Sequence, residues 1–224
     1  MEYPIRINKY LRDKGFASRR EADQLIAEGK VFVNNRRAET GMMIGQNDKV
    51  VLRQRKPKEL VYLAYYKPRG LATQDFEDFE SVIKEWKNKG LFPVGRLDKE
   101  SEGLLILTND GRATAKLTDP KSRLEKEYIV NVKEKLRGGL PAIFAKGMQT
   151  KTFGQLLPAK ARLIDKQTLR VILLEGKRHQ IRVMLSELDY TIASLKRIRI
   201  GNILIGSLKP GQTRQLTPKE YENF

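Results

Sequence analysis

The sequence predicts an α+β fold divided into a small N-terminal module and a larger second domain. In the first 52 residues, apolar positions recur at helical spacing and are followed by short runs with strand propensity. A stretch of basic residues and proline at 53–58 has no apolar anchor and predicts a linker. Beyond it, strand-like runs alternate with short helical patterns. We therefore expect two domains, at residues 1–58 and 59–224.

Charge and composition restrict the functional classes that fit this chain. Its 224 residues include 44 Lys and Arg against 27 Asp and Glu, and the formal net charge of +17 makes RNA the leading candidate partner. Cysteine is absent and His179 is the single histidine, which excludes disulfides, thiolate metal sites and multi-histidine metal centres. No segment is similar to a signal peptide, and no apolar run approaches the ~20 residues of a membrane helix. We expect a cytoplasmic protein with no metal or other cofactor and no membrane partner.

The first module is predicted to contain a helix pair followed by strands. Apolar residues at helical spacing indicate the first helix, which Gly15 ends. Ser18 lies three residues before Glu21 in a capping-box arrangement, which predicts the start of the second helix. Strand-like runs at 31–33 and 50–52 complete the module.

Basic side chains cover the solvent side of this helix pair. They are Lys9, Arg12, Lys14, Arg19, Arg20 and Lys30. On most helix pairs such charges only solvate a surface. Here the order helix, Gly, SRREA, helix, Gly-Lys, strand is similar to the RNA-binding module named after the fourth protein of the small ribosomal subunit, over residues 5–52. The resemblance implies RNA contacts for all of these residues except Lys14, of a kind suited to phosphate and shape recognition.

The second domain is predicted to alternate strands with short helices. Strands are expected at 61–66, 104–108, 125–132, 169–174 and 198–200. Helices are expected at 81–87 and 112–117 and from about residue 181. Trp86, the single tryptophan, is predicted to lie in the core.

The segment GRLDKESEG at 95–103 carries the most chemical information. It places Asp98 in a polar loop, two residues after Arg96 and just before an apolar run. Read alone, such an aspartate usually caps a turn. The segment resembles the signature of the RNA pseudouridine synthases, in particular the RsuA, RluB and RluF branch that modifies ribosomal RNA. That resemblance implies that Asp98 is the essential catalytic aspartate. Arg96 is then expected to fill the space of a flipped base or to hold a neighbouring phosphate.

Two further motifs match the same family. KPRG at 67–70 is a turn by its Pro and Gly, and the family carries a similar motif at this distance before its aspartate, which makes Lys67 a candidate RNA-binding residue. KEYIV at 126–130 reads by itself as a strand in which Tyr128 is half-buried. The resemblance implies that Tyr128 is the active-site tyrosine, stacked on the uracil and able to help move the proton from carbon five.

The third motif, EGKRHQIRVML at 175–185, lies at a strand-to-helix turn. Its basic residues Lys177, Arg178 and Arg182 are candidates to meet phosphate, as at many helix starts. The resemblance implies instead that Arg182 is the charge-assisted partner of Asp98 and that Ile181 forms an apolar wall beneath the base.

His179 and Val183 depart from the family pattern at this motif. Members of the RsuA, RluB and RluF branch commonly have NRQIRRM here, whereas HQIR is more typical of the RluA branch. The departure leaves the implied chemistry intact and leaves the target uridine unidentified.

The resemblance reaches Leu216 and implies both an architecture and a reaction. It implies a catalytic domain on a mainly antiparallel sheet with a cleft across it. The enzyme is expected to flip a uridine of ribosomal RNA, in 23S RNA of the large subunit or its assembly intermediate, and to isomerise it to pseudouridine without a cofactor. We expect a monomer. Attack of Asp98 on the sugar, attack on the base and proton abstraction leading to a glycal all stay open.

Two rival functions come from other classes. A non-catalytic RNA-binding or ribosome-assembly factor would retain the fold without the activity. A metal-dependent nuclease would need clustered carboxylates, for which Glu100 and Glu102 near Asp98 are a thin basis.

Overall fold

The computed structural model of the chain describes residues 2–53, 59–74, 80–119 and 122–222, and the first of these ranges holds the N-terminal module. The predicted linker therefore lies, except for Arg53, outside the described residues. The module's elements in chain order are β1 (Ile5–Arg6), α1 (Ile7–Asp13), α2 (Arg19–Ala27), β2 (Val31–Val33), β3 (Arg36–Arg37), β4 (Met43–Ile44) and β5 (Val50–Leu52). Strand β1 pairs with β4, and β2 lies between β3 and β5 in a three-stranded sheet.

Local sequence signals account for most of this module. Ser18 Oγ accepts a hydrogen bond from the Glu21 backbone N–H, and the Glu21 carboxylate accepts one from the Ser18 N–H, which confirms the predicted capping box. The short strands β1, β3 and β4 were not predicted. The module's apolar side chains, from Ile5 to Leu52, pack into a core of their own. It can therefore bury its apolar surface largely within its own fold.

The larger second domain consists of strands and short helices in near alternation. Its first elements are β6 (Tyr62–Lys67), α3 (Val82–Lys87), β7 (Phe92–Val94), β8 (Glu102–Thr108), α4 (Gly111–Thr118), β9 (Lys126–Val132) and α5 (Leu140–Ala145). The remaining ones are β10 (Gln149–Thr150), β11 (Gly154–Gln155), β12 (Lys160–Leu163), β13 (Thr168–Leu173), α6 (Gln180–Ser186), β14 (Ile192–Ile200), β15 (Ile203–Leu204), β16 (Thr213–Gln215) and α7 (Pro218–Tyr221). No helix of the described residues is long and apolar enough to span a membrane.

One nine-stranded sheet organises the second domain. Its main path is β12-β13-β9-β14-β8-β6-β16, with β7 added to β8 and β15 added to β14. Every pair in it is antiparallel except β8 with β14. The expectation of a mainly antiparallel sheet is therefore confirmed.

The apolar run of β8 is buried because both faces of the sheet are covered. Leu104 and Ile106 pack on one face with the α4 side chains, whereas Leu105 and Leu107 pack on the other with α3. Trp86 of α3 belongs to that second cluster and is 7% exposed, which confirms the prediction that it lies in the core. A strand covered on both faces reads as a continuous apolar run rather than as an alternating one.

Strands β8 and β14 approach each other closely at their parallel contact. Gly103 lies beside Arg197 there, and a Cβ atom at Gly103 would stand 2.2 Å from the Arg197 carbonyl oxygen. The φ angle of Gly103, +108°, also lies in the region that favours glycine. This joint connects the β6 half of the sheet to the β9 half, and the predicted catalytic loop leads directly into it.

Candidate active site

The loop from Gly95 to Ser101 presents Asp98 at the centre of the sheet. It connects β7 to β8, and Gly95 turns the chain with a φ of +75°. Thr73 Oγ1 accepts a hydrogen bond from the Leu97 N–H at 3.0 Å and donates one to the Leu97 carbonyl at 2.6 Å. Leu97 is thereby anchored in the core, while the neighbouring Asp98 side chain stays 28% exposed.

Two side chains from the start of α6 meet the Asp98 carboxylate. Arg182 Nε lies 3.6 Å from Asp98 Oδ2, and His179 Nε2 lies 3.2 Å from Oδ1. Arg182 Nη2 also donates to Ser101 Oγ at 2.9 Å. Arg182 therefore contacts the loop at two points, Asp98 and Ser101. The ion pair is the one that the family resemblance implied, and the histidine contact was not predicted.

The turn before α6 is fixed by Gln180, which sequence reasoning did not single out. Gln180 is buried, its Oε1 accepts from the Lys177 N–H at 3.0 Å, and its Nε2 donates to Glu175 at 2.9 Å. His179 precedes the helix with a φ of +57°. These bonds close the strand-to-helix turn and set the direction in which the first residues of α6 project.

A cavity of about 900 Å³ opens beside Asp98. Side chains from β9, β13, β14, α6 and the two loops line it, among them Tyr128 and Ile181, which are 8% and 3% exposed. Arg96, Lys177 and Arg178 also line it. The Arg96 side chain is exposed, and its Nη1 donates to Gln74 Oε1 at 3.1 Å. Six predicted site residues, counting Asp98, therefore share one cleft, with Arg182 behind the carboxylate.

Lys67 does not lie on this surface, which corrects the expectation that it contacts RNA. The side chain is fully buried, and its Nζ donates to the carbonyl oxygens of Pro68 and Leu71 at 2.8 and 2.7 Å. Burial lowers the pKa of Lys67 to about 8, although the charge of nearby Asp98 acts in the opposite direction. The ammonium group is committed to the turn after β6 and is not available to a phosphate.

The predicted RNA-binding residues of the N-terminal module lie outside the cavity lining. Lys9, Arg19 and Arg20 are exposed on the helix pair. Arg12 pairs with Asp13, and Lys30 Nζ lies 2.6 Å from Glu28. Within the described residues, Arg12 and Lys30 are therefore partly neutralised by a neighbouring carboxylate, whereas Lys9, Arg19 and Arg20 are not paired in this way.

Comparison with known proteins gives consistent matches along almost the whole chain. Residues 61–187 match the family model described as RNA pseudouridylate synthase, and residues 5–50 match the S4 domain. The ribosomal large subunit pseudouridine synthase B of Bacillus subtilis is 36% identical over 98% of this chain and 95% of its own length. The dual-specificity RNA pseudouridine synthase RluF of Escherichia coli is 34% identical over 96% of this chain and 77% of its own. A crystal structure of a pseudouridylate synthase, 26% identical, superposes with a TM-score of 0.74 over 98% of this chain and 99% of that one.

Proposed function

The chain belongs to the RNA pseudouridine synthases of the RsuA, RluB and RluF type, isomerases that modify ribosomal RNA, and from this premise we propose that it converts a uridine of large-subunit RNA to pseudouridine with Asp98 as the catalytic carboxylate. The observation that carries the proposal is that Asp98 pairs with Arg182 and shares one cleft with Tyr128. The large subunit is favoured because the Bacillus relative named for it matches over almost its whole length.

The reaction requires one accessible carboxylate and no external reagent. The bond between the ribose carbon and uracil nitrogen one breaks, a bond from the same ribose carbon to uracil carbon five forms, and the carbon-five proton leaves while nitrogen one gains a proton. Asp98 suits this role because Arg182 orients it from behind while it stays partly exposed toward the cavity. Attack on the sugar, attack on the base and proton abstraction to a glycal would all use the same carboxylate.

Tyr128 and Ile181 are proposed to enclose the flipped base. Both side chains are nearly buried and line the cavity that Asp98 faces. An aromatic ring offers a stacking surface for uracil, and the phenol group is a candidate to help remove the carbon-five proton. The aliphatic side chain of Ile181 excludes water without competing for the polar edge of the base. Together they make a slot suited to a flat, uncharged ring.

Arg96 is proposed to stabilise the RNA from which the base has been extracted. Flipping costs a few kcal/mol of stacking and pairing, and a planar guanidinium can occupy the vacated space or hold a neighbouring phosphate. Its exposed side chain at the cavity edge is in a position to do either. Lys177 and Arg178, on the same edge, are proposed to contact phosphates that flank the target.

The N-terminal module is proposed to deliver RNA to this cleft. We place the boundary of the two domains between residues 58 and 59, and assign phosphate contacts chiefly to Lys9, Arg19 and Arg20 because they are exposed. Arg12 and Lys30 would exchange a carboxylate for a phosphate on binding. We further propose that the enzyme acts as a monomer and in the cytoplasm, where ribosomal RNA is assembled.

Tritium release tests the proposed reaction directly. Large-subunit and small-subunit ribosomal RNA would be transcribed in vitro from the organism's own genes with tritium at uracil carbon five. We expect the native chain to release tritium from the large-subunit transcript, and Asp98→Asn to lower the rate by about 1,000-fold or more while leaving RNA affinity nearly unchanged. Glu100→Gln, the same change in the same loop, is the matched control and should retain the native rate.

Each component of the proposal has its own contrary outcome. Full turnover by Asp98→Asn would remove Asp98 from the mechanism. Release only from the small-subunit transcript would overturn the choice of subunit. RNA binding by the native chain without release from either transcript would favour the non-catalytic factor, and loss of activity in a chelator would favour metal-assisted chemistry.

A further inference from the structure

Two arginines of β14, two residues apart, face opposite sides of the sheet. Arg197 pairs across the ladder with Tyr128, and Arg199 pairs with Glu127, because the register shifts between them. Tyr128 and Glu127 are consecutive in β9 and therefore point to opposite faces. The irregularity thus turns Arg197 toward the cleft and Arg199 away from it. Bulges commonly redirect a side chain in this way beside an active site.

The guanidinium of Arg197 joins three segments of the site. It is 4% exposed, its Nε donates to the Leu104 carbonyl of β8 at 2.8 Å, and its Nη1 donates to the Arg96 carbonyl at 3.3 Å. The side chain also lines the cavity. The rigid guanidinium therefore connects β14 to two segments: β8, which follows Asp98, and the loop residue Arg96, which precedes it.

The stability of the fold does not by itself explain why Arg197 is buried. Within the described residues no carboxylate forms an ion pair with it, and its Nη2 is buried without a hydrogen-bond partner. Arg199, by contrast, pairs with Glu125 and Glu127. Two hydrogen bonds to carbonyl oxygens offset only part of the cost of burying a guanidinium without an ion pair, a cost that an apolar side chain of similar length would not carry. The pKa values of Lys67 and Lys126 are lowered mainly by burial, and the charge of Arg197 is a smaller cause in the same direction.

We propose that Arg197 is a positioning residue for the uridine isomerisation, which fixes the backbone of Arg96, and with it Asp98, against the strand that carries Tyr128. The proposal deepens the function proposed above and rests on it. Its Nε and Nη1 are committed to two backbone carbonyl oxygens, so its proposed role is to hold these segments and not to add a phosphate contact. Its loss should therefore disturb the geometry of the cleft after RNA has bound. The affected steps are base entry and chemistry, and the affinity for RNA should be largely retained.

Kinetics of Arg197→Lys, with Arg199→Lys as matched control, test this role. Lysine keeps the charge but cannot serve both carbonyl oxygens with a fixed fork. On tritiated large-subunit RNA we expect Arg197→Lys to lower kcat by about 10- to 100-fold with KM changed by less than about twofold. Arg199→Lys, on the same strand and the opposite face, should retain the native kcat. Equal kcat values for the two variants, or a loss confined to KM, would overturn the proposal.

A second measurement needs no activity and so separates this proposal from the proposed function. Hydrogen–deuterium exchange of the free protein would be followed in peptides that cover residues 92–101. We expect faster exchange there in Arg197→Lys and native exchange in Arg199→Lys. If Arg197→Lys melts below the assay temperature, Arg197→Gln takes its place in both measurements. A native chain that releases no tritium would defeat the proposed function, whereas unchanged exchange at 92–101 would defeat the role of Arg197.

Discussion

At the scale of single residues, a guanidinium and an imidazole meet the Asp98 carboxylate. Arg182 approaches one carboxylate oxygen, and His179, which is charged only if protonated, approaches the other. Both come from the start of α6, far from Asp98 in the sequence. The loop itself supplies Ser101, which accepts a hydrogen bond from Arg182. The loop brings the Asp98 carboxylate to the cleft, and tertiary contacts with α6 orient it there.

The buried Lys67 predicts how stability depends on pH. Burial lowers its pKa from 10.5 to about 8 in the folded chain. Between these values the unfolded chain holds the proton and the folded chain does not, so the free energy of unfolding rises with pH. The contribution is complete above the unfolded pKa and is lost as the pH falls through about 8.

Chemical denaturation of the native chain and of Lys67→Met at several pH values checks this dependence. We expect the difference between their free energies of unfolding to shift by on the order of 2 kcal/mol in favour of the native chain between pH 7.5 and 10. Lys87→Met removes an exposed lysine and serves as the control, whose difference should stay constant. A constant difference for Lys67→Met as well would contradict the lowered pKa.

At the scale of elements, the parallel contact of β8 with β14 is the joint on which the site depends. It lies next to the loop that carries Asp98, and Arg197 extends from it to the Arg96 carbonyl. Parallel pairing is an exception in this otherwise antiparallel sheet. The close approach at Gly103 leaves no room for a side chain. Small changes at this contact should therefore propagate to Asp98.

Gly103→Ala tests this joint, with Gly41→Ala as a control. Gly41 also has a positive φ, +87°, but an added Cβ would meet no atom within 4 Å. Backbone strain alone should cost about 1–2 kcal/mol at Gly41. At Gly103 the overlap with β14 adds to that strain, and we expect a loss of about 4 kcal/mol or more, or failure to fold. Thermal and denaturant melts measure both. Equal losses would show that the strands can separate to admit a methyl group.

At the scale of the whole molecule, positive charge is densest in the N-terminal module, which we propose brings RNA to the cleft. Residues 1–58 contain 14 Lys and Arg against 7 Asp and Glu, a net charge per residue about twice that of the remaining chain. The exposed cations of the helix pair are separate from the cleft residues that are proposed to hold the base. Affinity and chemistry should therefore respond to different substitutions.

The double variant Arg19→Ala, Arg20→Ala tests this division. Each phosphate contact that is lost should reduce the slope of log affinity against log salt by about 1, so we expect a reduction of about 1–2 and weaker binding. At saturating RNA, kcat should stay native because neither residue lines the cleft. The control Arg162→Ala, Lys166→Ala removes the same charge from exposed positions of the second domain. An equal loss in the control would indicate a general charge effect.

The sequence by itself determined the features that depend on neighbouring residues. The capping box at Ser18, the buried strand β8 and the strand that carries Tyr128 all follow from short-range spacing. Motif resemblance selected Asp98, Tyr128 and Arg182; the fold brings Asp98 and Tyr128 to one cleft and places Arg182 against Asp98.

Only the tertiary structure decided the features that depend on register and burial. Helix α5 and strands β10–β12 were not predicted, and the strand expected at 198–200 is the end of the longer β14. Lys67 and Arg197 are basic residues in polar contexts, yet both are buried. Sequence spacing puts Arg197 and Arg199 on one face, and a single register shift separates them. The reason is physical: register and burial follow from contacts between distant segments, and local pattern does not encode those contacts.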